Sequence, residues 1–466
     1  MEKETLTSLV NNPDELIKKV SDEKVKKTSD IQNYIKQFDP KSHDVHDKTK
    51  RQDKQIVDES NNIQLINVAR LSIPMQKRIV NLAASFLCAN PIRLKSAPET
   101  EIEKKLLNLI EKVWIDLKLR YDSQEIARLM MSETEVAELW YVENAEADYW
   151  DDTELSGTSF KMRMRILANS KGDTLYPVYN AAGDMIAFGR EYKTQISGTT
   201  DTQEHFDLYT DANIYMNKKV NGVWSTETKP NVIKKIPIVY YDQKHPEWHD
   251  VQEMIDRFEK SISNHADTND YYGSPMVKVK GEIKGFAKKG ESGKVLELDA
   301  GAEAEYMTWD QSPESVKLEQ TNLRSLILDF TDTPDISFDN MKGMGTFSGF
   351  ALKMLFMAAH LKASQKEETF GKSIQRRINL IKATLITFKQ AILKQGASLD
   401  VYPEFDYFLP KDDQAMIDLL VTATGNKAIM SKKSAISLNP LVTNSDIEYE
   451  QLKNEEKQES TLDSNF

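Results

Sequence analysis

The chain of 466 residues is poor in cysteine: Cys88 stands alone. No internal disulfide can form, and the apolar stretch around it points to a buried structural thiol in a reducing compartment. It also lacks long apolar runs. None approaches the ~18 residues that a membrane span needs, and the opening Met1-Glu2-Lys3-Glu4 is charged, without the pattern of a secretory signal. Positive charge is in deficit, with 61 Lys and Arg against 73 Asp and Glu, a formal net charge of -12. Tight gripping of nucleic-acid phosphates depends on a surplus of Lys and Arg, so this balance argues against a tight DNA binder. It does not exclude a channel along which DNA must slide without sticking.

Catalytic patterns are missing as well. There is no Gly-x-Ser-x-Gly, no His-Glu-x-x-His and no cysteine nucleophile with a partner. Gly285 to Gly290 has the glycine spacing of a phosphate loop, but Glu291-Ser292 stands where Lys-Ser or Lys-Thr is required, and an acidic residue there repels phosphate. The segment reads as a turn. His245 and His249 are four apart, as two helix-borne metal ligands are, but Pro246 spoils a shared face. His43 and His46 lie in a polar segment, and all four read as surface histidines. Asp148, Asp151 and Asp152 around Tyr149-Trp150 could hold a divalent cation, although a solvated loop explains them as well. No cofactor, metal site or catalytic residue is expected.

What is present is order along the chain. Residues 1–60 are mostly polar or charged and predict a mobile arm with one short helix around Leu16 to Tyr34. Met75, Ile79, Leu82, Phe86 and Leu87 recur at helical spacing after Pro74, and Asn90-Pro91 stops them. Further helices are predicted at Glu99 to Leu117 and Ser123 to Met131. From Glu135 the period changes to two. Val136–Glu143, Lys161–Ala168, Leu175–Tyr179, Met185–Lys193, Glu204–Thr210 and Ala212–Lys218 read as strands, with turns at Asn180 to Asp184 and Asn221-Gly222. Ile236 to Tyr241 closes this lobe. Asp250 to Glu253 fits a capping box opening a helix striped by Val251, Met254, Ile255, Phe258 and Ile262. A small lobe with strands at Met276–Lys280, Val295–Leu298 and Glu305–Trp309 follows. Ser312-Pro313 then starts a helix whose apolar face is Leu323, Leu326, Ile327 and Phe330.

Thr333-Pro334 ends that helix, and a Gly-rich loop runs from Asp335 to Ser348. The longest helical pattern, Gly349 to Lys394, would span about 70 Å unbroken. Phe350, Met354, Met357 and Leu361 set one apolar phase; Ile374, Ile378, Ile381, Leu385, Phe388 and Ile392 set another. The two do not join, and Gly371 lies between them, so a kink or break is predicted between Ser364 and Gly371. Asp412 to Thr424 reads as a helix stopped by Gly425, and Ser445 to Glu448 as a capping box opening a Glu-rich last helix.

This order resembles the SPP1-type phage portal family. The likeness rests on Pro74–Ile92, an early helix ending in Pro-Ile, and on Asp250–Ser263, similar to the family's first stem helix. Phe347–Lys353 with Leu361–Phe370 is similar to the start of its long helix. Ile429–Ser434, Asn439–Val442 and Glu448–Glu456 resemble its C-terminal region. The stretches together span about residues 60–456. One departure is Ala89-Asn90, where the family usually has Gly before the Pro.

The resemblance implies an α+β portal fold: a mobile arm (1–60), a helix-rich wing containing the β-lobe (61–244), stem helix 1 (245–272) and a small α/β clip (273–311). Stem helix 2 (312–332), a tunnel loop (333–348), the wing's long kinked helix with a return strand (349–410), an α-helical crown (411–456) and a disordered tail (457–466) would follow. It implies a ring of about twelve copies of the chain in the virion, at one capsid vertex. Duplex DNA would pass through it without sequence readout, and the chain would be made in the host bacterial cytoplasm with no membrane partner. Asp339, Asn340, Met341, Lys342, Gly343 and Met344 would line the tunnel. Lys284, Lys288, Lys289 and Glu291 in the clip would meet the terminase large subunit and then the head-tail adaptor. Met254, Ile255, Phe258, Ile262, Leu323, Leu326, Ile327 and Phe330 would pack the stem. Major capsid and scaffolding proteins complete the implied partners. Two other readings stay open: a head-tail connector or scaffold-type protein without a tunnel, and a metal-dependent nuclease using the aspartates near Trp150.

Overall fold

In the computed structural model of the chain the described residues are 3–10, 12–24, 27–57, 63–88, 90–196, 198–272, 276–281, 283–285, 297–298, 303–307, 313–336, 354, 356–407, 413–425, 429–439, 441–442 and 445–463. They form two compact units, Met1–Thr333 with Leu361–Tyr407, and Pro334–His360 with Phe408–Phe466.

The larger unit opens with α1 (Lys3–Leu9), α2 (Pro13–Asp22) and α3 (Thr28–Phe38). A mobile arm was expected here, and the described residues depart from it: Leu6, Val10, Leu16, Val20 and Ile31 are buried. The polar composition is real, but its few apolar residues recur at helical spacing, and that is enough to dock α1 and α2 on a sheet. A hairpin of β1 (Lys54–Val57) and β2 (Ile63–Ile66) comes next. Then come α4 (Met75–Cys88), β3 (Arg93–Ser96), α5 (Glu101–Asp116) and α6 (Leu119–Glu133). The start of α5 is fixed by a reciprocal cap between Thr100 and Glu103.

Two sheets follow. β4 (Glu135–Asn144) pairs with β5 (Phe160–Leu167) and later with β11 (Ile238–Asp242). Between them β6 (Asp173–Tyr179), β7 (Met185–Gln195), β8 (Thr202–Tyr209), β9 (Asn213–Val220) and β10 (Val223–Pro230) form an antiparallel meander in the order β10-β9-β8-β7-β6. The period of two decides which side chain goes where. Tyr176, Val178, Ala187, Phe206 and Leu208 face α1 and α2, while Leu175, Phe188 and Tyr209 face Ala137, Leu167, Ile238 and Tyr240. Gly189 is required on the first face, since a Cβ there would lie 2.8 Å from Phe206 Cζ. Asn221 (φ 51°) and Gly222 (φ 81°) make the two-residue turn into β10. β10 was missed from sequence because it is almost wholly exposed and its polar run does not alternate.

After β11, one 3₁₀ turn (His249–Val251) leads into α7 (Gln252–Tyr272). The capping box read at Asp250–Glu253 does not form; Trp248 holds the N-cap position without a capping bond. A small insertion carries two ladders, β12 (Met276–Lys280) with β15 (Glu303–Met307), and β13 (Ile283–Gly285) with β14 (Glu297–Leu298). Next are α8 (Pro313–Phe330), α9 (Met357–Phe388) and α10 (Gln390–Leu393). β16 (Val401–Glu404) returns to pair with β3.

A kink or break was expected between Ser364 and Gly371, and α9 is not broken there. α9 runs through, and the interruption falls at Lys389 (φ -143°, ψ 63°). Its buried stripe is carried by Ala359 and Ala363 and continues through Phe370, Ile374, Ile378, Ile381 and Leu385, whereas Met357 and Leu361 are exposed. The larger apolar side chains suggested a second phase that the alanines make unnecessary.

The smaller unit holds α11 (Asp413–Thr424), α12 (Lys432–Leu438) and α13 (Ser445–Asp463). Ser431 caps α12 by accepting from Ser434 N at 3.2 Å, and Lys433 lies over the Tyr449 ring at 5.8 Å.

Candidate functional site

α7 and α8 pack side by side and frame the small insertion. On α7, Ile255 and Phe258 are buried and Met254 and Ile262 partly so; on α8, Ile327 is buried and Leu323 partly so. Arg257 bridges the pair, 2.6 Å from Glu319. The remaining two of the eight named packing residues face outward: Leu326 is 41% exposed and Phe330 65%, joined by Leu318 at 61%. Leu326 and Phe330 are one turn apart, so α8 presents an apolar strip that nothing in this chain covers among the described residues.

α7 is treated quite differently, in a way the sequence reading missed. An extended strap, residues 69–73, hangs its backbone on the helix. Ala69 N donates to Asp267 Oδ1 at 2.6 Å, Leu71 N to Ser263 Oγ at 3.0 Å and Ile73 N to Glu259 Oε1 at 2.7 Å. The spacing matches because four helical residues rise about 6 Å and two extended ones about 6.8 Å. The preceding segment locks over the strap. Arg51 pairs with Asp267 at 2.6 Å and donates to Ala69 O at 2.8 Å, and Arg70 pairs with Asp53 at 2.7 Å. The signal was present as alternate backbone positions before Pro74, but it points to a helix only once the fold is known.

His43 completes this clamp. Its Nδ1 donates to Glu259 Oε1 and its Nε2 to Gln37 O, both at 2.7 Å. The Gln37 carbonyl can only accept, and the Glu259 carboxylate favours a proton on Nδ1 as well, so the arrangement favours the imidazolium. Burial by itself lowers its pKa, but the hydrogen bond and charge of Glu259, with the Gln37 carbonyl, outweigh that and raise it. The expectation of a surface histidine is therefore corrected for His43, which is buried. His46 is half-buried and bonds Ser72 Oγ at 3.0 Å. His245 and His249 stack ring on ring at 3.9 Å.

A second charged node ties α9 to the sheet. Arg377, fully buried, donates through Nε to Glu138 Oε1 at 2.8 Å and through Nη1 to Ser123 Oγ at 2.8 Å; Tyr241 and Trp140 bond the same carboxylate. Desolvation works against the Arg377 charge, but Glu138 and Tyr241 hold its pKa above the ordinary value. Lys362 and Lys366 grip the buried Glu247 at 2.9 and 2.5 Å, and Lys362 also donates to Thr331 O at the end of α8.

Of the other residues singled out from sequence, Lys284 lies in β13, its side chain outside the described ones. Lys288, Lys289, Glu291, the glycine-spaced turn and Asp339 to Met344 lie outside the described residues. Asp148, Asp151 and Asp152 are exposed around a buried Trp150, whose Nε1 bonds Phe160 O. Among the described residues no three His, Cys, Asp or Glu side chains are grouped to hold a metal, and no helix is long and apolar enough to cross a membrane. Cys88 is buried, and burial pushes its thiol up to about 12.

The family model described as phage portal protein, SPP1 Gp6-like, matches residues 14–462. No curated protein matches the chain. Similar solved structures include a chain from the neck of an empty gene transfer agent particle, with TM-score 0.39 and 12% identity over 79% of this chain and 90% of that one. Another comes from the virion of a native gene transfer agent particle, with TM-score 0.39 and 13% identity over the same shares.

Proposed function

The chain belongs to the SPP1 Gp6-like family of phage portal proteins, and from that premise we propose that it closes into a ring of about twelve copies at one capsid vertex. Duplex DNA enters and leaves through the ring. The family is structural, not enzymatic. The observation that carries the reading is the family match over residues 14–462, nearly the whole chain. The contrast between α7 and α8 supports it: one helix is saturated by its own chain, and the other leaves an apolar strip for a neighbour.

In this reading residues 61–244 and 349–410 form the wing, 245–272 and 312–332 the stem, 273–311 the clip and 411–456 the crown. Asp339, Asn340, Met341, Lys342, Gly343 and Met344 approach the DNA, where Lys342 makes weak phosphate contacts while the acidic chain discourages static binding. Lys284, Lys288, Lys289 and Glu291 meet the terminase large subunit during packaging and the head-tail adaptor afterwards.

Negative-stain electron microscopy with light scattering tests the ring. Closed rings with a hole wide enough for duplex DNA support it, and a small closed oligomer without a hole moves the chain to the connector class. Chains that stay monomeric are tested in capsids, where a vertex without a ring sinks the reading. A Lys342→Ala variant that packages and retains DNA normally removes the role given to that lysine.

A further inference from the structure

One concavity in the bigger unit reverses the charge of the molecule around it. It measures about 780 Å³ and lies between the outer face of α9 and the β-lobe. Lys235, Lys372, Arg376 and Lys382 line it against a single carboxylate, Asp211, in a chain whose net charge is -12. Lys372 and Arg376 are one turn apart on α9 and so lie side by side, with Lys382 about 120° further round the helix.

Among the described residues Arg376 and Lys382 make no ion pair, and Lys372 makes only a long, exposed one. Arg376 is half-buried and donates from Nε to Ile238 O at 2.9 Å, and no carboxylate among the described residues pairs with it. Burial without a counter-charge lowers its pKa, against only the nearby Tyr179. Lys382 is held by two carbonyls, Leu399 O at 2.8 Å and Ala397 O at 3.2 Å. Lys372 reaches only Glu368 at 3.9 Å, and both side chains are largely exposed. A half-buried guanidinium held at Nε, with its fork left without a carboxylate, is a costly arrangement for a chain rich in Asp and Glu to leave uncompensated. Between the cations the walls are mixed, with the amides of Gln375 and Asn379 beside the apolar Met185, Ile236 and Leu380.

We propose that this pocket is a docking site for an acidic peptide segment of another protein of the particle, one that alternates carboxylate and apolar side chains. Its carboxylates pair with Arg376, Lys372 and Lys382, and its apolar side chains seat on Met185, Ile236 and Leu380. The apolar part of the wall favours a peptide over nucleic acid, because a phosphodiester backbone has nothing to place against Met185, Ile236 and Leu380.

The probe is a short fluorescein-labelled peptide alternating Glu and Leu, titrated into the purified full chain by anisotropy. A Lys peptide of the same length serves as control, and duplex DNA and inorganic phosphate as competitors. Saturable binding of the Glu-Leu peptide is expected, weakened roughly tenfold by Arg376→Gln, the loss of one charge-assisted fork. Because Arg376 also bonds Ile238 O, Lys372→Glu is the companion variant: it is exposed, leaves the fold intact by circular dichroism, and should weaken binding severalfold. No saturable binding, or affinity unchanged in both variants, overturns the proposal. It is equally overturned if duplex DNA or phosphate displaces the peptide and itself loses affinity in both variants, since the pocket is then a phosphate site.

Discussion

α7 and α8 are neighbours of similar length and amphipathic pattern, yet the chain finishes one and leaves the other open. α7 has its inner face in the core and three further side chains, Glu259, Ser263 and Asp267, occupied by strap amides. α8 buries Ile327 and Leu328 and presents Leu318, Leu326 and Phe330 outward. The difference teaches that an apolar stripe in sequence does not say who covers it. α7 is a fixed rail within the monomer, while α8 keeps an apolar strip that no described residue covers.

The sharpest way to break the frame behind this pair is Arg377→Ala. Removing one partner strands the buried Glu138 carboxylate and should cost about 3–5 kcal/mol in chemical denaturation. A loss near zero would mean that the α9–sheet node is not a structural anchor. Glu259→Ala should come next, at about 3 kcal/mol, because it strands both the His43 cation and Ile73 N. Hydrogen exchange should show residues 69–73 released while α8 is unaffected.

The clamp should also respond to pH. His43 gains its proton-holding partners only in the folded state, so its pKa rises above the ordinary 6.5. Its contribution is then fully present below about pH 6.5 and is lost as pH rises through the folded value. His43 is packed against Glu259 and Asp256 of α7, with Asp44 next to it in the chain, and Glu259 and then Asp256 hold the proton on. Denaturation midpoints should fall on raising pH from 6 to 9, and His43→Gln should flatten that slope. A slope unchanged in the variant would place the titration elsewhere.

The smallest effect on the monomer belongs to α8. Phe330→Ser should alter monomer stability by no more than about 0.5 kcal/mol, because the side chain is already exposed. By light scattering the same variant should fail to form the large oligomer. If it assembles normally, the exposed strip is not the contact and the comparison between the two helices loses its meaning.

Much of the fold was legible in the residues. The helices at Met75–Cys88 and Glu101–Asp116, and the alternation from β4 to β9, follow from spacing that one buried face imposes. β10 was not, because an exposed edge strand has no buried face to print an alternation. The α9 phase was misread because Ala359 and Ala363 line the buried stripe with small side chains, while larger apolar ones point to solvent. Of the candidate site, the apolar residues of α7 and α8 were nameable from sequence, but not that Leu326 and Phe330 would face outward. The clamp on α7 was not, since His43 and Glu259 are 216 residues apart.

By itself the sequence determined most of the succession of elements, the lack of an internal disulfide and of a long apolar run, and a family likeness spread along most of the chain. These are local or compositional properties, set by period, caps and residue counts. Only the tertiary structure decided which polar residues were to be buried in pairs, which apolar stripe was to be left open, and where cations would outnumber acids. Those outcomes depend on groups far apart in the chain meeting in a low-dielectric interior, where a charge must find its partner, and no local pattern records that meeting.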